Sequence, residues 1–328
     1  MKKAALFFVL VLIVAFSVIT GCKKSSSPTS PVSTNTPTPI ASFTDLASVS
    51  GGTFTQTDGT NSFSHTISAF KIGKYQVTYD LWYTVYTWAV GNGYTFQNAG
   101  AEGSAGTVGA APTVAKYQPV TTLSWRDVIV WCNAYSQKTG LTPVYCSNAA
   151  FTTPVKNSTD TEYSSSIDPT AGGIDNPYVN LSANGYRLPA EGEYQFAASY
   201  QDGTNWTPYN YLSGATDIYS DLAASALVGW FTQSPYITAN TQTVGGLAAN
   251  ALGIYDMSGN VWEWCFDWYG NYPATSQTNY TGPASGSYRV LRGGSYYNYA
   301  YTLPVGNRND AGPYNTGNTF GFRIARSN

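Results

Sequence analysis

The segment GIYDMSGNVWEWCFDWYG, residues 253–270, does most to decide the fold of this chain. Two shorter segments follow it, RVLRGGSYY at 289–297 and GFRIAR at 321–326. Between them, residues 296–319 contain no cysteine, histidine, glutamate or lysine. We call 296–319 the carboxy-terminal window. These three segments restrict the possible folds and functions more than the sequence before them does.

The composition restricts the kinds of partner. Charged residues make up 10% of the 328 residues, whereas tyrosine (27), tryptophan (9) and glycine (32) are abundant. The surface is therefore expected to be polar through Asn, Ser, Thr and Tyr rather than through ions. A net charge of -2 gives no electrostatic attraction to nucleic acid, so we expect no nucleic-acid partner.

The amino terminus has the pattern of a bacterial lipoprotein signal. Lys2 and Lys3 precede an apolar run over 4–20, and small residues lead to Cys22. We expect a signal peptide at 1–21, a lipid on Cys22 and a disordered Ser/Thr/Pro tether over 22–40; the alternative is an uncut membrane anchor. The predicted location is the bacterial envelope, at the outer membrane or cell surface, with the lipid as the only membrane contact.

Residues 41–328 are predicted to form a single α+β domain with much irregular structure. Residues 51–77 have the pattern of short strands. A first helix is expected over 79–90, after Thr78. A second is expected to begin at Ser124, which starts an SxxD capping pattern, and a third is expected after Pro189. The second helix is expected to bury one stripe of side chains. After Asn205 the chain is predicted to be mostly loops with few strands.

Cysteine and histidine counts exclude several kinds of site. Besides Cys22 there are three cysteines, Cys132, Cys146 and Cys265, with no CxxC pair, so a structural zinc site is not expected. At most one disulfide can form among them. Because His65 is the single histidine, sites that need two or three imidazoles are excluded. Apolar and polar residues alternate around it as in a strand, and this pattern favours a surface position for His65.

The ordered motifs resemble the formylglycine-generating (sulfatase-modifying factor) family, whose fold is a variant of the C-type lectin-like fold. The resemblance covers about residues 52–326. The motifs that carry it are GGTF (51–54), KIGKYQVT (71–78), PVTTLSWRDVIVWCNAYS (119–136), YRLPAEGEYQFAA (186–198), and the three segments quoted first. Their order and spacing both agree with the family.

The resemblance implies a fold without the family's chemistry. Family enzymes oxidise a substrate cysteine with copper held by two thiols a few residues after GGS, and the matching positions here lie near Leu303 and Arg308. Neither side chain holds copper. The family's disulfide is also missing, because Ile324 stands opposite Cys132. We therefore expect no copper and no catalysis, with Cys265 acting as a small buried hydrophobe.

The resemblance also implies a structural calcium site in DMSGNVWE. The ligands would be a side-chain oxygen of Asp256, the carbonyls of Gly259 and Val261, and the Glu263 carboxylate. The alternative is that Asp256 caps a turn while Glu263 pairs with Arg292 or Arg323.

The window has the composition of a recognition surface, with tyrosine, asparagine, threonine, glycine and aspartate. The chain is also similar to the variable proteins of diversity-generating retroelements, whose binding residues derive from AAY codons mutated at adenine. Such codons do not reach Lys, Glu, Gln, Met or Trp, and the window contains none of these. The alternative is a loop that drifted after catalysis was lost.

The function predicted is thus a lipid-anchored surface protein that binds a protein or glycan. The alternatives are a formylglycine-generating oxidoreductase and a structural envelope lipoprotein. Arg308 is expected to be a scaffold residue held by a carboxylate. The predicted binding residues are Tyr296, Tyr297, Tyr299, Tyr301, Leu303, Asn307, Asp310, Tyr314 and Asn315.

Overall fold

The computed structural model describes residues 43–328, and its first three helices begin where the sequence predicts them, whereas a fourth was not predicted. Helix α1 spans Tyr79–Val90, and the Thr78 side chain accepts a hydrogen bond from the Leu81 amide. Helix α2 spans Trp125–Lys138 behind a complete Ser124/Asp127 capping box. Helices α3, Glu191–Ser199, and α4, Leu222–Ala226, follow. The predicted signal peptide (1–21), Cys22 and the tether (22–40) lie outside the described residues.

Sixteen strands accompany these helices in the described residues, most of them short. They are β1 Leu46–Val49, β2 Gly52–Thr57, β3 Ser62–Ile67, β4 Phe70–Gly73, β5 Ala101–Glu102, β6 Val120–Thr121, β7 Tyr145–Cys146, β8 Tyr178–Val179, β9 Thr232–Gln233, β10 Tyr236–Ile237, β11 Trp262–Trp268, β12 Gln277–Thr278, β13 Arg289–Arg292, β14 Arg308–Ala311, β15 Phe320–Gly321 and β16 Ala325–Ser327.

The strands form one four-stranded sheet, two three-stranded sheets and three two-stranded pairs. The four-stranded sheet has the order β14-β13-β11-β15, and the others have the orders β1-β4-β16 and β12-β3-β2. All described residues belong to one compact unit. None of the helices in the described range is long and apolar enough to cross a bilayer.

The four-stranded sheet corrects the prediction that the chain after Asn205 has few strands. Its central strand β11 has the sequence WEWCFDW, and six of its seven residues are buried. A strand covered on both faces loses the alternation of apolar and polar residues that makes strands visible in a sequence. The window begins after β13, contains β14 and ends just before β15.

Helix α2 is the centre of the core. All residues from Trp125 to Ser136 are buried, so the predicted stripe underestimates the contact of this helix with its surroundings. Trp131 stacks on Trp82 of α1 with ring centroids 5.7 Å apart, and Phe322 meets both rings edge-on. The helix is therefore enclosed by α1 and the carboxy-terminal segment.

His65 is buried, which corrects its predicted surface position. Its exposure is 0%, its Nδ1 lies 2.6 Å from Gln56 Oε1, and its Nε2 accepts a hydrogen bond from the Tyr280 amide at 2.8 Å. It stands between Phe63 and Ile67 on the inner face of β3, so the period of the strand itself places it inside. The unexposed ring excludes His65 as a solvent-facing base.

Candidate functional site

The first third of the window presents three tyrosines to solvent. Tyr297, Tyr299 and Tyr301 are 73%, 55% and 58% exposed, whereas Tyr296 is 4% exposed. The Tyr299 and Tyr301 rings lie 5.9 Å apart and are tilted by 32°. We call Tyr297, Tyr299 and Tyr301 the tyrosine face. The structure removes Tyr296 from the predicted binding set because its ring is covered.

A hairpin that the sequence reasoning missed supports this segment. Strands β9 and β10 pair through Thr232 and Gln233. The Thr232 amide donates to Asn298 O at 2.9 Å, and Gln233 Oε1 accepts from the Ala300 amide at 3.1 Å. The Thr232 hydroxyl lies 2.7 Å from Thr238 O and 2.9 Å from Tyr296 O, so it shares one proton between the two carbonyls. The signal was a Ser-Pro turn flanked by apolar residues.

The hairpin also enlarges the exposed apolar surface beside the tyrosine face. Ile237 is 65% exposed and Tyr236 36% exposed, although they belong to β10. The Tyr236 ring lies 6.1 Å from the ring of Phe231, which is buried. The combined surface has no charged side chain among these five residues, so it suits a neutral partner.

Leu303 does not belong to the tyrosine face. It is 0% exposed and packs in a small core with Leu212, Val228, Phe231 and Ala300. A ligand could contact the Leu303 side chain only by displacing the residues that pack around it. The prediction that Leu303 contacts a ligand is therefore wrong in this conformation.

The remaining predicted residues lie further along the window. Asn307 Nδ2 donates to Thr302 O at 2.6 Å, so it closes the loop that carries the tyrosine face. Asp310 lies in β14 opposite Val290. The Tyr314 ring lies 5.6 Å from the guanidinium of Arg126 in α2. Asn315 is exposed.

Arg308 is held as the sequence predicts for a scaffold residue. Its Nε and Nη2 donate to the two carboxylate oxygens of Glu191 at 2.8 and 2.6 Å, and its Nη1 donates to Gly270 O at 2.7 Å. The guanidinium also lies 4.3 Å from the ring centroids of both Tyr269 and Tyr272. These contacts pair the Arg308 guanidinium with its surroundings, and they hold β14 against α3.

Three of the predicted calcium oxygens, those of Gly259, Val261 and Glu263, converge on one point. The Asp256 atom at this point is the backbone carbonyl and not the predicted side-chain oxygen. The Nε2 atom of Gln76 lies 3.2 Å from Asp256 O, 3.3 Å from both Gly259 O and Val261 O, and 3.0 Å from Glu263 Oε1. An amide nitrogen has two protons to donate, so it does not satisfy four oxygens. The Gln76 Oε1 atom is buried and has no partner among the described residues.

The charges around this point agree with the alternative in which Glu263 pairs with an arginine. Arg323 donates to the two carboxylate oxygens of Glu263 at 2.6 and 2.7 Å, which is one of the pairings considered. Asp256 accepts from the Gly245 amide at 2.7 Å, while its other oxygen has no partner in the described part of the chain. Burial raises the pKa of Asp256 to about 6. An added cation would favour the ionised form.

The three cysteines of the described domain are free and buried. Cys265 lies in a core cluster with Tyr194, Met257 and Val290, and burial raises its pKa well above the usual value. Cys132 is likewise held in its thiol form by burial. The prediction that Cys265 is a small buried hydrophobe agrees with this setting.

Comparison with known proteins gives matches along nearly the whole chain. Residues 32–328 match the model of the sulfatase-modifying factor enzyme 1-like domain. A protein named chaperone protein LppX from Paenibacillus barcinonensis is 31% identical over 293 residues, which are 86% of this chain and 89% of that protein. The formylglycine-generating enzyme of Streptomyces coelicolor is 31% identical over 181 residues, 47% of this chain and 54% of that enzyme.

Two solved structures are similar over most of their length. Treponema denticola variable protein 1 superposes with a TM-score of 0.66 at 28% identity, covering 86% of this chain and 95% of that chain. CarF superposes with a TM-score of 0.64 at 25% identity, covering 87% and 98%. These matches confirm the predicted fold, including its irregular α+β character.

Proposed function

Because the chain belongs to the sulfatase-modifying factor family and has its variant of the C-type lectin-like fold, we propose that it is a non-catalytic binding protein. The tyrosine face, with the tip of the β9–β10 hairpin, is the proposed contact surface. The carrying observation is that three tyrosines remain 55% to 73% exposed on a loop held by hydrogen bonds to its backbone. Rigid rings on a fixed loop lose little entropy on binding.

The residues at the family's reactive positions support a non-catalytic role. Leu303 fills a core and Arg308 is committed to Glu191, so neither supplies a metal-binding sulfur. The window contains no cysteine at all. Soft metals such as Cu(I) need thiolate or thioether ligands. The formylglycine-generating alternative therefore has no residues of the expected type at this place.

The proposed partner is a neutral surface of a protein or glycan. Aromatic rings contribute large contact areas to protein partners and also stack on the apolar faces of sugars. The proposed setting is the bacterial envelope, with the chain attached by a lipid on Cys22. Exchange of Cys22 for serine should move the protein from the membrane fraction to the soluble fraction, whereas an unchanged distribution would contradict the anchor.

Active diversification of the window is part of the proposal. All residues of 296–319 are reachable from AAY codons. The three exposed tyrosines lie where side chains can change without loss of core contacts. A near-identical template repeat beside a reverse transcriptase gene would support diversification. A genome without such a repeat would leave a fixed binding face and contradict this part.

We propose calcium as a structural ion of the loop that contains Asp256, Gly259, Val261 and Glu263. The fit rests on four oxygens directed at one point and on two orphaned buried oxygens, Asp256 Oδ1 and Gln76 Oε1. A rotated Gln76 amide would present its oxygen instead of its nitrogen to that point. The bound ion would supply positive charge to buried oxygens. It takes no part in chemistry.

The binding proposal is tested with a triple variant, Tyr297→Ser, Tyr299→Ser and Tyr301→Ser. The control is Tyr209→Ser with Tyr288→Ser, because these rings are 48% and 50% exposed outside the window. The wild type and both variants are applied to a glycan array. They are also used in pull-downs from lysates of cells that share the habitat of this bacterium, and the bound proteins are identified. We expect partners that the wild type and control retain and the triple variant loses. Equal retention by all three would reject the face.

The enzymatic alternative has its own test. Purified protein is incubated with cupric salt, oxygen and a cysteine-containing sulfatase peptide, and aldehyde is measured by hydrazide capture. Absence of aldehyde is expected because no thiol pair is available at the window. Aldehyde formation by the wild-type protein would overturn the non-catalytic proposal, and its persistence after Cys265→Ala would also overturn the argument from the window.

A further inference from the structure

A cavity of about 340 Å³ lies between the start of α1 and the loop over residues 102–118. None of the window residues lines it. This volume is at the lower end of the range of roughly 300–1,000 Å³ that is usual for small-molecule sites. The cavity therefore has room for one thin side chain or a small molecule, and such a ligand would be independent of the tyrosine face.

Glu102 is the only charged residue among the described residues that line this cavity. It lies in β5, and 8% of its surface is exposed. Its carboxylate oxygens accept hydrogen bonds from the Thr113 amide at 2.8 Å and from the Thr113 hydroxyl at 2.5 Å. Within residues 43–328, Glu102 forms no ion pair with a lysine, an arginine or the histidine. Its negative charge is therefore held by uncharged donors alone.

The charge of the cavity favours a single cation. Because burial of a carboxylate without a counter-ion costs free energy, a cation that enters the cavity is stabilised by Glu102, whereas an anion is repelled. Lys116 does not fill this role, since its Nζ lies 3.2 Å from Asp80 Oδ1 and it does not line the cavity. Calcium takes about six to eight oxygen ligands, often from several carboxylates. One carboxylate is better matched by a singly charged organic cation.

The rest of the lining suits a narrow alkyl chain that ends in an ammonium group. Contact between the methyl groups of the cavity and an alkyl chain removes both from water. The Glu102 carboxylate has about four lone-pair sites, of which Thr113 occupies two, so it can accept further N–H donors. A primary ammonium supplies such donors, whereas a quaternary ammonium supplies none. The alanines that provide the methyl groups are Ala105, Ala110, Ala111 and Ala115.

Hydrogen bonds fix the loop that forms the cavity. The Tyr79 hydroxyl donates to Ala110 O at 2.6 Å, which ties the loop to the start of α1. At the end of the loop, Gln118 Oε1 accepts from the Thr241 hydroxyl at 2.8 Å. A ligand that enters a preformed site does not have to order its walls, so more of the interaction energy contributes to affinity.

We propose that this cavity binds a primary ammonium group on an unbranched alkyl chain, which the Glu102 carboxylate recognises. Such a group occurs on the lysine side chains of proteins and on free alkylamines, and the chemistry of the site is the same for both. The proposal does not depend on the binding proposed for the tyrosine face. Ala111 lines the cavity and is exposed, so a larger side chain at this position would block entry.

The probes are n-butylammonium, which is a free alkylamine, and Nα-acetyl-lysine N-methylamide, which represents a lysine within a protein chain. Each is titrated with the full chain in an uncharged detergent, and binding is measured by NMR of the probe. We expect saturable binding, and the probe that binds more tightly identifies the source of the ammonium group. Absence of saturable binding for both probes would overturn the proposal.

Two analogues of the tighter probe test the chemistry of the ligand. In the first, a hydroxyl group replaces the ammonium, so the length is kept and the charge is lost. In the second, a trimethylammonium group keeps the charge and loses the N–H donors. Each analogue should bind at least about tenfold more weakly than the probe. Equal binding of the first would refute recognition of charge, and equal binding of the second would refute recognition through hydrogen bonds.

Variants assign the binding to this cavity. Glu102→Gln keeps an oxygen that accepts from the Thr113 amide and should weaken binding at least about tenfold, whereas Glu162→Gln, at an exposed position outside the lining, should not. Ala111→Trp should block the cavity, whereas Val114→Trp places the same ring on a fully exposed residue of the same loop and should leave binding unchanged. Wild-type affinity in Glu102→Gln or in Ala111→Trp would overturn the proposal. The tyrosine-face triple variant should bind the probe like wild type.

Discussion

Arg308 and Glu191 form a two-point ion pair that joins the window to the first turn of α3. The Nε and Nη2 atoms of Arg308 lie 2.8 and 2.6 Å from the carboxylate oxygens, and the two side chains are 7% and 4% exposed. Arg292 approaches the same carboxylate at 3.6 Å. The loop that carries the tyrosine face is thus fastened at its far end to the helix core.

Loss of this ion pair should destabilise the folded state. Arg308→Met leaves the buried Glu191 carboxylate with the Tyr272 hydroxyl at 3.1 Å and the longer contact to Arg292, so we expect the free energy of unfolding to fall by about 3–5 kcal/mol. Urea unfolding followed by tryptophan fluorescence measures the change. Lys116→Met removes an exposed pair with Asp80 and should cause no measurable loss. Similar losses in the two variants would contradict the structural role of Arg308.

Leu303 and Tyr301 are expected to separate stability from binding. Leu303→Ala removes a fully buried side chain and should lower the free energy of unfolding by about 2–5 kcal/mol. Tyr301→Ala removes an exposed ring and should change it by about 0.5 kcal/mol or less. Denaturant titration of both variants measures this. A large effect at Tyr301 would mean that the ring supports the fold and is a poor marker of the face.

His65 can be followed directly because it is the only histidine. Burial lowers its pKa from 6.5 to about 4. The unfolded chain takes up a proton near 6.5 while the folded chain does not, so stability falls as the pH drops from about 6.5 toward 4. NMR titration of the imidazole carbon-bound protons in untagged protein should give a midpoint near 4. A midpoint near 6.5 would restore the surface position first predicted.

Asp267 should act in the opposite direction. Burial, with the nearby Glu191 charge, raises its pKa from 3.8 to about 8. The folded chain then holds a proton that the unfolded chain has released, so this residue lowers stability progressively from about pH 4 to 8. Asp267→Asn keeps an oxygen to accept from the Glu191 amide and should become more stable relative to wild type over that interval. Chemical denaturation at several pH values measures the difference, and a constant difference would argue against the shifted pKa.

Calcium should raise the melting temperature of wild type relative to buffer with chelator. The increase is expected because an ion that binds only the folded state stabilises it. Asp256→Ala should remove the difference between the two buffers, whereas Asp80→Ala, an exposed carboxylate, should retain it. Calorimetry in both buffers measures the effect. If Asp256→Ala loses equal stability in calcium and in chelator, the carboxylate is structural and the ion is absent.

Local chemistry made the helices predictable. Thr78 and the Ser124/Asp127 box determine where α1 and α2 begin, because side-chain oxygens satisfy amides that a helix start leaves free. The carboxylate pair of Arg308 was expected from the resemblance to the family, although its partner Glu191 lies 117 residues away in sequence. A capping motif is local, whereas the choice of partner depends on the tertiary fold.

Burial of single residues was harder to predict. Leu303 and the exposed tyrosines lie in one run of the sequence, and only the packing around Leu212 and Phe231 separates them. The enclosure of His65 depends on a cover formed by Tyr280, 215 residues later in the chain. The alternation of β3 puts His65 on the same face as Phe63 and Ile67, but the segment that covers this face is not visible in the local sequence. Burial decided by distant segments therefore requires the three-dimensional structure.

The hairpin contacts have a consequence for how this surface evolves. Thr232 and Gln233 hold the loop through the carbonyls of Tyr296 and Asn298 and the amide of Ala300, which are atoms that every residue type except proline supplies. The side chains at 297, 299 and 301 therefore contribute little to the stability of the fold. New specificities can arise there by mutation while the architecture below stays the same.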